Sequence, residues 1–479
     1  MGFKFVFLWT DVALWALFVV LLVYSWRIHR QPNLRALWLK VLRDPAGLCA
    51  GVVLLMFLGV TALDGVHFRR ALPAVPGAGE SVRVFYDTRT ESVLDLLLAR
   101  QYEMTETTYS RPLAYVAFSK ETVVVGGKDV REFPRLKYGG SHLKNPQQEW
   151  LRDVLSRCAV GAALGLAISA LVGLALAWAL RKGHGGLQSA LRDIAADRTH
   201  YPVRAVVLTL FITGLLCGPV AMLMNHYHVL GTDRTGNDVL IQVFKSVRTA
   251  FVIGSLATLA MLPLAVVLGI LAGYFKGWVD DLIQYIYTTV ASVPGILLIA
   301  ACVLMIQVFL DKHPELFETG VERADLKIFW LCVILGLTGW ASLCRLVRGE
   351  TLKLRELEYV QAAVALGVGH ARIMGRHILP NVTYLVLITT VLSFSDLILF
   401  EAVLTYVGVG VDPSMNSFGG MINMARNEMS RDPVVWWSFA AAFVAMVTLV
   451  LAANLFADAV RDAFDPRARS LRPRVLAKA

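Results

Sequence analysis

Nine stretches of this chain stay apolar for long enough to cross a bilayer: 5–24, 47–63, 157–180, 204–225, 249–273, 283–310, 328–344, 382–403 and 435–457. A spanning helix needs about 20 such residues. The windows 47–63 and 328–344 are short. The window 283–310 is long and contains Pro294, so it is expected to kink or to begin as an interfacial helix. Bulky Tyr24, Trp26 and Arg27 follow the first window, with no small-x-small cleavage site, so it reads as a retained anchor rather than a leader.

The polar stretches between the windows set an orientation. Segment 25–46 carries Arg27, Arg30, Arg35, Lys40 and Arg43 against the single acid Asp44. Segment 345–381 carries Arg345, Arg348, Lys353, Arg355, Arg372 and Arg376, and the C-terminal tail carries Arg461, Arg467, Arg469, Arg472, Arg474 and Lys478. By the positive-inside rule all three are cytoplasmic. Nine spans then put the N-terminus outside and the C-terminus inside, with 64–156, 226–248, 311–327 and 404–434 on the outer side. The acid-rich 311–327 fits that side, and 64–156 is too long for the rule to bind.

Composition agrees. Of 479 residues, 56% are hydrophobic and 17% charged, against about 25% charged in soluble domains. That excludes an ordinary soluble enzyme, a disordered chain and a disulfide scaffold. The net charge of +10 reads as loop topology and not as a nucleic-acid face, because no basic run is interleaved with aromatics. The six cysteines lie in or beside apolar windows without CxxC spacing and read as small core hydrophobes. The ten histidines show no HExxH or paired ligand spacing, so no metal is expected.

Segment 64–156 is near charge balance. It holds strand-like runs at Val82–Tyr86 and Thr122–Val125, the latter closed by Gly126-Gly127, and a helical pattern over 91–101. These predict a small α+β extracytoplasmic domain.

Two readings of chemistry follow from absence: no GxxxxGK[ST] cradles nucleotide phosphates, and no GxSxG marks a nucleophile. The informative stretch is Glu358–Asn381. Ala362–Leu366 is a run of good helix formers, Gly367 and Gly369 can stop it in a left-handed turn, and 370–378 starts a second helix before Pro380. Two short helices at an angle make a docking knob. A plain basic loop is the other reading, and the pattern alone leaves both open.

This stretch resembles the EAA loop of ABC importer permeases, E-A-A-x3-G-x9-I-x-L-P. Ala362, Ala363, Gly367, Leu379 and Pro380 match, while Gln361 replaces the Glu and His377 the Ile. His377–Asn381 looks like the dipeptide/oligopeptide/nickel branch. Four further stretches match that branch in order. His228, Gly231, Asp233, Gly236 and Asp238 fit its H-x-L-G-T-D-x-x-G-x-D outer loop, and Gly273–Asp280 fits its G-Y-x-x-G-W-x-D turn. Glu401–Gly410, including Gly408, is similar to E-A-x-L-S-F-L-G-L-G, and Asn454–Arg467 to N-x3-D-x2-R-D-x2-D-P-R. Arg248 stands where the family has an Arg before its second core helix.

The resemblance covers about 226–467 and implies an all-α polytopic membrane protein of the type I importer fold, about nine helices with the α+β insertion. The expected organisation is 1–63, N-terminal helices and a cytoplasmic loop; 64–156, the extracytoplasmic domain; 157–225, an extra hairpin; 226–467, the permease core with its coupling loop 345–381; and 468–479, a basic tail. Residues 36–63 look like the first core helix, making 64–225 an insertion; 204–225 as first core helix is the alternative.

The resemblance further implies a subunit without catalytic residues in a bacterial inner membrane. It would pair with a second permease, two ATPases that hold ATP and Mg, and an extracytoplasmic solute-binding protein. Gln361, Ala362, Ala363, Gly367, His377, Leu379 and Pro380 would couple to the ATPases. His228, Gly231, Asp233, Gly236, Asp238, Glu401, Gly408 and Gly410 would form the outer loop or gate, although Asp233 and Gly236 also suit a plain turn. Ala363 and Gly367 are expected to be the tightest coupling positions. Asp396, an acid within a span, is a pathway candidate; Asp11, also in a span, is expected to pair with another helix. Two competing classes are a proton-coupled transporter using Asp396 and Glu401, and a non-transporting scaffold. Peptides are the expected cargo.

Overall fold

The computed structural model describes residues 3–72, 86–125, 128–181, 183 and 185–464. The run Val82–Phe85, Gly126-Gly127 and the tail from 465 lie outside the described residues. Nine helices among those described are long and apolar enough to cross a membrane, one for each predicted window. The chain divides into two compact units. One comprises residues up to Lys4, Leu42–Arg248 and Asn416–Leu449; the other comprises Phe5–Val41, Thr249–Met415 and the chain from Val450.

In chain order the elements are β1 (Phe3–Val6), α1 (Trp9–Arg30), α2 (Pro32–Val41), α3 (Pro45–Asp64), β2 (His67–Arg70), β3 (Glu91–Ser92), α4 (Val93–Leu97) and α5 (Ala99–Glu103). β4 (Glu121–Val125), β5 (Lys128–Glu132), α6 (Pro146–Leu180), α7 (Leu187–Ala195), α8 (Val203–Leu223) and α9 (Val239–Phe275) follow. Then come α10 (Gly277–Ser292), α11 (Gly295–Lys312), α12 (Gly320–Arg355), α13 (Glu358–Ala365), α14 (His370–Ile373), α15 (Leu379–Tyr406), α16 (Phe418–Glu428) and α17 (Trp437–Phe464).

In the first unit, Arg43-Asp44-Pro45 starts α3 as a cap should. The Asp44 carboxylate accepts from Gly47 N–H at 2.7 Å and Pro45 fills a position whose N–H has no helical partner. Segment 64–156 is α+β: β2 pairs antiparallel with β3, and β4 with β5 in the register Glu121↔Glu132 to Val125↔Lys128. The helical pattern over 91–101 becomes two short helices, α4 and α5; Ser92 and Asp95 form a reciprocal capping box at the start of α4.

Helix α6 begins eleven residues before its apolar window. It packs against α8 along small residues four apart. A Cβ on Gly165 would sit 2.0 Å from the Gly214 carbonyl oxygen, and one on Gly161 2.5 Å from that of Gly218. Ser169 Oγ donates across to the Leu210 carbonyl at 2.7 Å. Backbones this close are the small-xxx-small contact of membrane helices, where dispersion and polar contacts replace the hydrophobic effect. Cys217 is exposed on α8 rather than a core residue, while Cys332 and Cys344 are buried.

In the second unit, α1 joins the core. Leu14 packs with Ile299, Val303, Ile328 and Leu331, and Thr10 N–H donates to the buried Asp325 carboxylate at 3.0 Å. Trp38 and Val41 of α2 pack with Val460 and Phe464. The 283–310 window breaks rather than kinks: Val293 is extended (φ −83°, ψ 133°) ahead of Pro294, and the chain restarts as α11. Proline disfavours a helical residue before it, which is why the break falls there.

Candidate functional site

The Glu358–Pro380 stretch is built on a buried apolar anchor. Val360, Ala363, Ile373 and Ile378 point into a cluster with Tyr274, Ile283, Tyr287 and Val347. Helix α13 ends in a Schellman turn: Gly367 N–H donates to Val364 O and Val368 N–H to Ala363 O, both at 3.0 Å, with Gly367 at φ +73°. Gly369 is not left-handed. It is the extended residue (φ −57°, ψ 141°) from which α14 starts, its carbonyl accepting from Arg372 and Ile373. Within this chain nothing lies within 4 Å of a Cβ on Gly367, so its backbone conformation, not crowding, calls for glycine. Ala363 is the buried position of the pair. Between α14 and α15 the chain widens into a π turn, Met374–Ile378. Pro380 lacks the N–H that would bond the Arg376 carbonyl, and the wider turn accommodates that loss.

The opposite face is exposed and partly apolar: Leu366 is 83% exposed and Val364 47%. Gln361, Ala362, Leu379 and Pro380 are also exposed, and His377 is half-buried beside Tyr359. The base is held by polar contacts. Arg348 forms a bidentate pair with Asp280 (2.5 and 2.6 Å), Arg355 donates to the Tyr274 carbonyl (2.7 Å), and the Tyr274 hydroxyl meets His370 Nδ1 (2.8 Å).

The His228–Asp238 loop belongs to the first unit. Asp233 Oδ1 accepts from Thr235 N–H and Asn237 N–H (2.8 and 3.0 Å), a side-chain-closed turn with Gly236 at φ +79°. Asp238 caps α9: its Oδ1 accepts from Leu240 N–H at 2.8 Å. Its Oδ2 lies 2.9 Å from His228 Nδ1, and Glu106 Oε1 lies 3.5 Å from His228 Nε2. That second approach is an ion pair too long for a good hydrogen bond. His228 is fully buried. Burial works against the imidazolium, but the two carboxylates outweigh it and raise the group to about 9. Burial likewise opposes the Glu106 carboxylate; His228 and three backbone donors outweigh it and hold Glu106 at about 2. Those donors are Lys137, Tyr138 and Gly139 N–H at 2.9, 2.8 and 3.1 Å.

Glu106 is the partner that sequence reasoning missed. The run around it lies along His228–Asp238. Glu106 N–H donates to Gly236 O (3.1 Å), Thr232 N–H to Ser110 O (3.2 Å) and Leu113 N–H to His228 O (2.9 Å). A Cβ on Gly236 would fall 1.8 Å from the Glu106 carbonyl oxygen; Gly231 faces the Ser110 carbonyl in the same way. Nothing local in Met104–Ser110 signals this pairing. Nearby, Lys245 bridges Asp64 and Asp95 at 2.9 and 2.8 Å.

Glu401, Gly408, Gly410 and Asp396 belong to the second unit. Glu401 is 2% exposed and accepts from Thr405 Oγ1 at 2.6 Å. Gly408 (φ +90°) closes α15, its N–H donating to Thr405 O and the next N–H to Leu404 O. Gly410 packs against Thr405, whose hydroxyl accepts from Val411 N–H. Asp396 is exposed. Five residues apart on a helix, Asp396 and Glu401 lie about 140° apart, so the structure does not join them into a proton relay. Asp11 is buried against the second unit's core.

The family described as "Binding-protein-dependent transport system inner membrane component" matches residues 265–470. The oligopeptide transport system permease protein OppC of Mycobacterium tuberculosis is 31% identical over 245 residues, 51% of this chain and 78% of that one. The glutathione transport system permease protein GsiD of Pectobacterium atrosepticum is 32% identical over 245 residues, covering 51% and 74%. The dipeptide transport system permease protein DppC of Alkalihalophilus pseudofirmus is 30% identical over 243 residues, covering 51% and 73%. With its nine apolar helices and an EAA-like loop folded as a two-helix knob, the chain belongs to the multi-pass inner-membrane permease subunits of binding-protein-dependent ABC importers.

Proposed function

We propose that this subunit forms half of the pore of an ATP-driven peptide importer and couples to its ATPases through residues 358–380. Its partners are a second permease, two ATPases that hold ATP and Mg, and an extracytoplasmic binding protein. The observation that carries the coupling role is the knob itself. Its base is locked by Val360, Ala363, Ile373 and Ile378, and its tip presents Leu366 and Val364 to the solvent side. A rigid lever with an apolar tip transmits a push without deforming. The names of the relatives support peptides as cargo.

In this reading 345–381 and the C-terminal tail are cytoplasmic, the N-terminus is outside, and 226–467 is the transport core. Residues 64–225 are an insertion, in keeping with the half of the chain that the relatives leave unmatched. The outer loop and Glu401–Gly410 serve the outer gate. Asp396 faces the translocation pathway, because a carboxylate left to lipid costs several kcal/mol. Mild-detergent purification from the native membrane tests the assembly. A second permease and two P-loop ATPases should co-purify, and Gly367→Asp should release the ATPases alone. A chain that purifies by itself and still transports refutes the reading.

A further inference from the structure

A cavity of about 160 Å³ opens in the first unit between α5, the turn after it and the start of α9. It is lined by Gln101, Tyr102, Thr105, Asn237, Asp238, Ile241, Gln242 and Asn416, with no lysine or arginine among them. Gln101 is only 4% exposed. Its Nε2 donates to Asn225 Oδ1 at 2.7 Å, and its Oε1 has no donor. A buried acceptor without a partner calls for an explanation.

The neighbouring groups share its polarity. Gln242 Nε2 donates to Asp233 Oδ2 at 2.6 Å, and Asn237 Nδ2 to Thr235 Oγ1 at 2.7 Å. Each of these three amides spends one N–H on a neighbour, and the Gln101 carbonyl is the buried oxygen among them left without a donor. Thr105 Oγ1 donates to the Tyr102 carbonyl at 3.1 Å and retains its lone pairs. The Tyr102 hydroxyl is committed to Asp95. Of the nearby cations, Lys245 is paired with Asp64 and Asp95 and His228 with Asp238 and Glu106, and the Arg89 guanidinium stacks over the Tyr102 ring at 5.5 Å. The cavity thus holds one buried, unpaired acceptor among further carbonyl and hydroxyl oxygens, with room for about five water molecules at ~30 Å³ each. An ammonium group carries three donors and no acceptor, which is the complement of that set.

We propose that this cavity binds a primary ammonium group, the protonated amino terminus of a peptide. The identity of the amine rests on the peptide-importer reading above; the preference for an ammonium rests on the lining alone. The Gln101 carbonyl supplies the buried acceptor, and Thr105 and the Asn237 and Gln242 carbonyls complete the ring.

The test is calorimetric titration of the assembled complex in lipid nanodiscs with trialanine, N-acetyl-trialanine and ethylammonium chloride. Trialanine and ethylammonium should bind, and acetylation should weaken binding at least tenfold, the loss expected for charge-assisted hydrogen bonds. Gln101→Glu should tighten trialanine binding about tenfold and Gln101→Met weaken it by a similar factor. Thr105→Val, at an exposed position, should weaken it several-fold with unchanged thermal unfolding, which covers the case of Gln101 variants that misfold. Equal binding of trialanine and its acetylated form overturns the proposal. So does trialanine affinity indifferent to Gln101→Glu and Thr105→Val, since the peptide would then be bound elsewhere. Binding of ethylammonium without trialanine overturns the peptide as occupant. Peptide uptake by a complex that binds neither amine here overturns this site and leaves the importer reading standing.

Discussion

Glu106→Gln keeps the size of a buried side chain and removes its charge. The carboxylate accepts three backbone N–H groups, from Lys137, Tyr138 and Gly139, and faces His228. A glutamine has one oxygen to offer. Whichever way the amide turns, its NH₂ meets at least one backbone donor, so at least one bond is lost and those that survive become neutral. Hydrogen bonds to charged groups are worth about 1.5–3 kcal/mol each, and the contact to His228 goes as well, so about 3 kcal/mol of local stability should disappear. At 1.36 kcal/mol per decade that is about a 150-fold rise in local opening. Hydrogen–deuterium exchange of peptides spanning 134–143, in the intact protein, reads this directly, because protection against exchange follows the free energy of local opening. Glu103→Gln, at an exposed position, is the control and should change nothing. Exchange over 134–143 within threefold of wild type in the Glu106→Gln protein refutes the claim that this carboxylate pins that segment.

The same triad sets a pH dependence. His228 is raised from 6.5 to about 9, so its contribution is full below 6.5 and fades as pH climbs through 9; Glu106 is lowered from 4.5 to about 2, so its share is full above 4.5 and lost only toward 2. Protection of 104–118, corrected for intrinsic exchange, should therefore be highest between those limits and fall on the alkaline side, and a rise there would reverse the sign. Gly214→Leu should cost about 1–3 kcal/mol or more by forcing α8 off α6, seen as a lowered unfolding temperature in detergent. Gly59→Leu, where nothing lies within 4 Å, should be tolerated. Gly367→Ala should cost about 1–2 kcal/mol through its left-handed backbone and lower transport-coupled ATP hydrolysis, while Gly369→Ala should be silent. Asp396→Asn should leave assembly intact and reduce peptide uptake in proteoliposomes; unchanged uptake removes Asp396 from the pathway.

The spans were legible because they rest on a single property, apolar length, that no tertiary contact overrides. Pro294 was legible as a disturbance, and its form followed from the restriction on Val293. The 358–380 knob could be read because glycine, proline and helix formers act locally: Gly367 ends α13 wherever the rest of the chain lies. Gly369 was misjudged because a glycine also suits the extended residue before a helix. The small-residue ladder of α6 and α8 was present as Gly161, Gly165, Ser169, Gly214 and Gly218. Its meaning depends on two helices facing each other, which spacing along one of them does not disclose.

The His228–Asp238 loop shows where such reading stops and why. Asp233 and Asp238 explain themselves within ten residues, one closing a turn and the other capping α9. His228 does not: its second carboxylate comes from a residue 122 positions earlier, in a run of ordinary polar residues. The contacts around it are directional hydrogen bonds and ion pairs, not apolar packing. Apolar faces can slide by a fraction of a residue at modest cost. A buried polar network satisfied in one register loses a partner at every other. Segment 104–118 is therefore held against His228–Asp238 in a single alignment, by backbone bonds along its length and by Glu106 at its end. A module tied in this way is part of the His228–Asp238 loop in mechanical terms, so whatever force acts on 104–118 acts on His228 and on the first turn of α9.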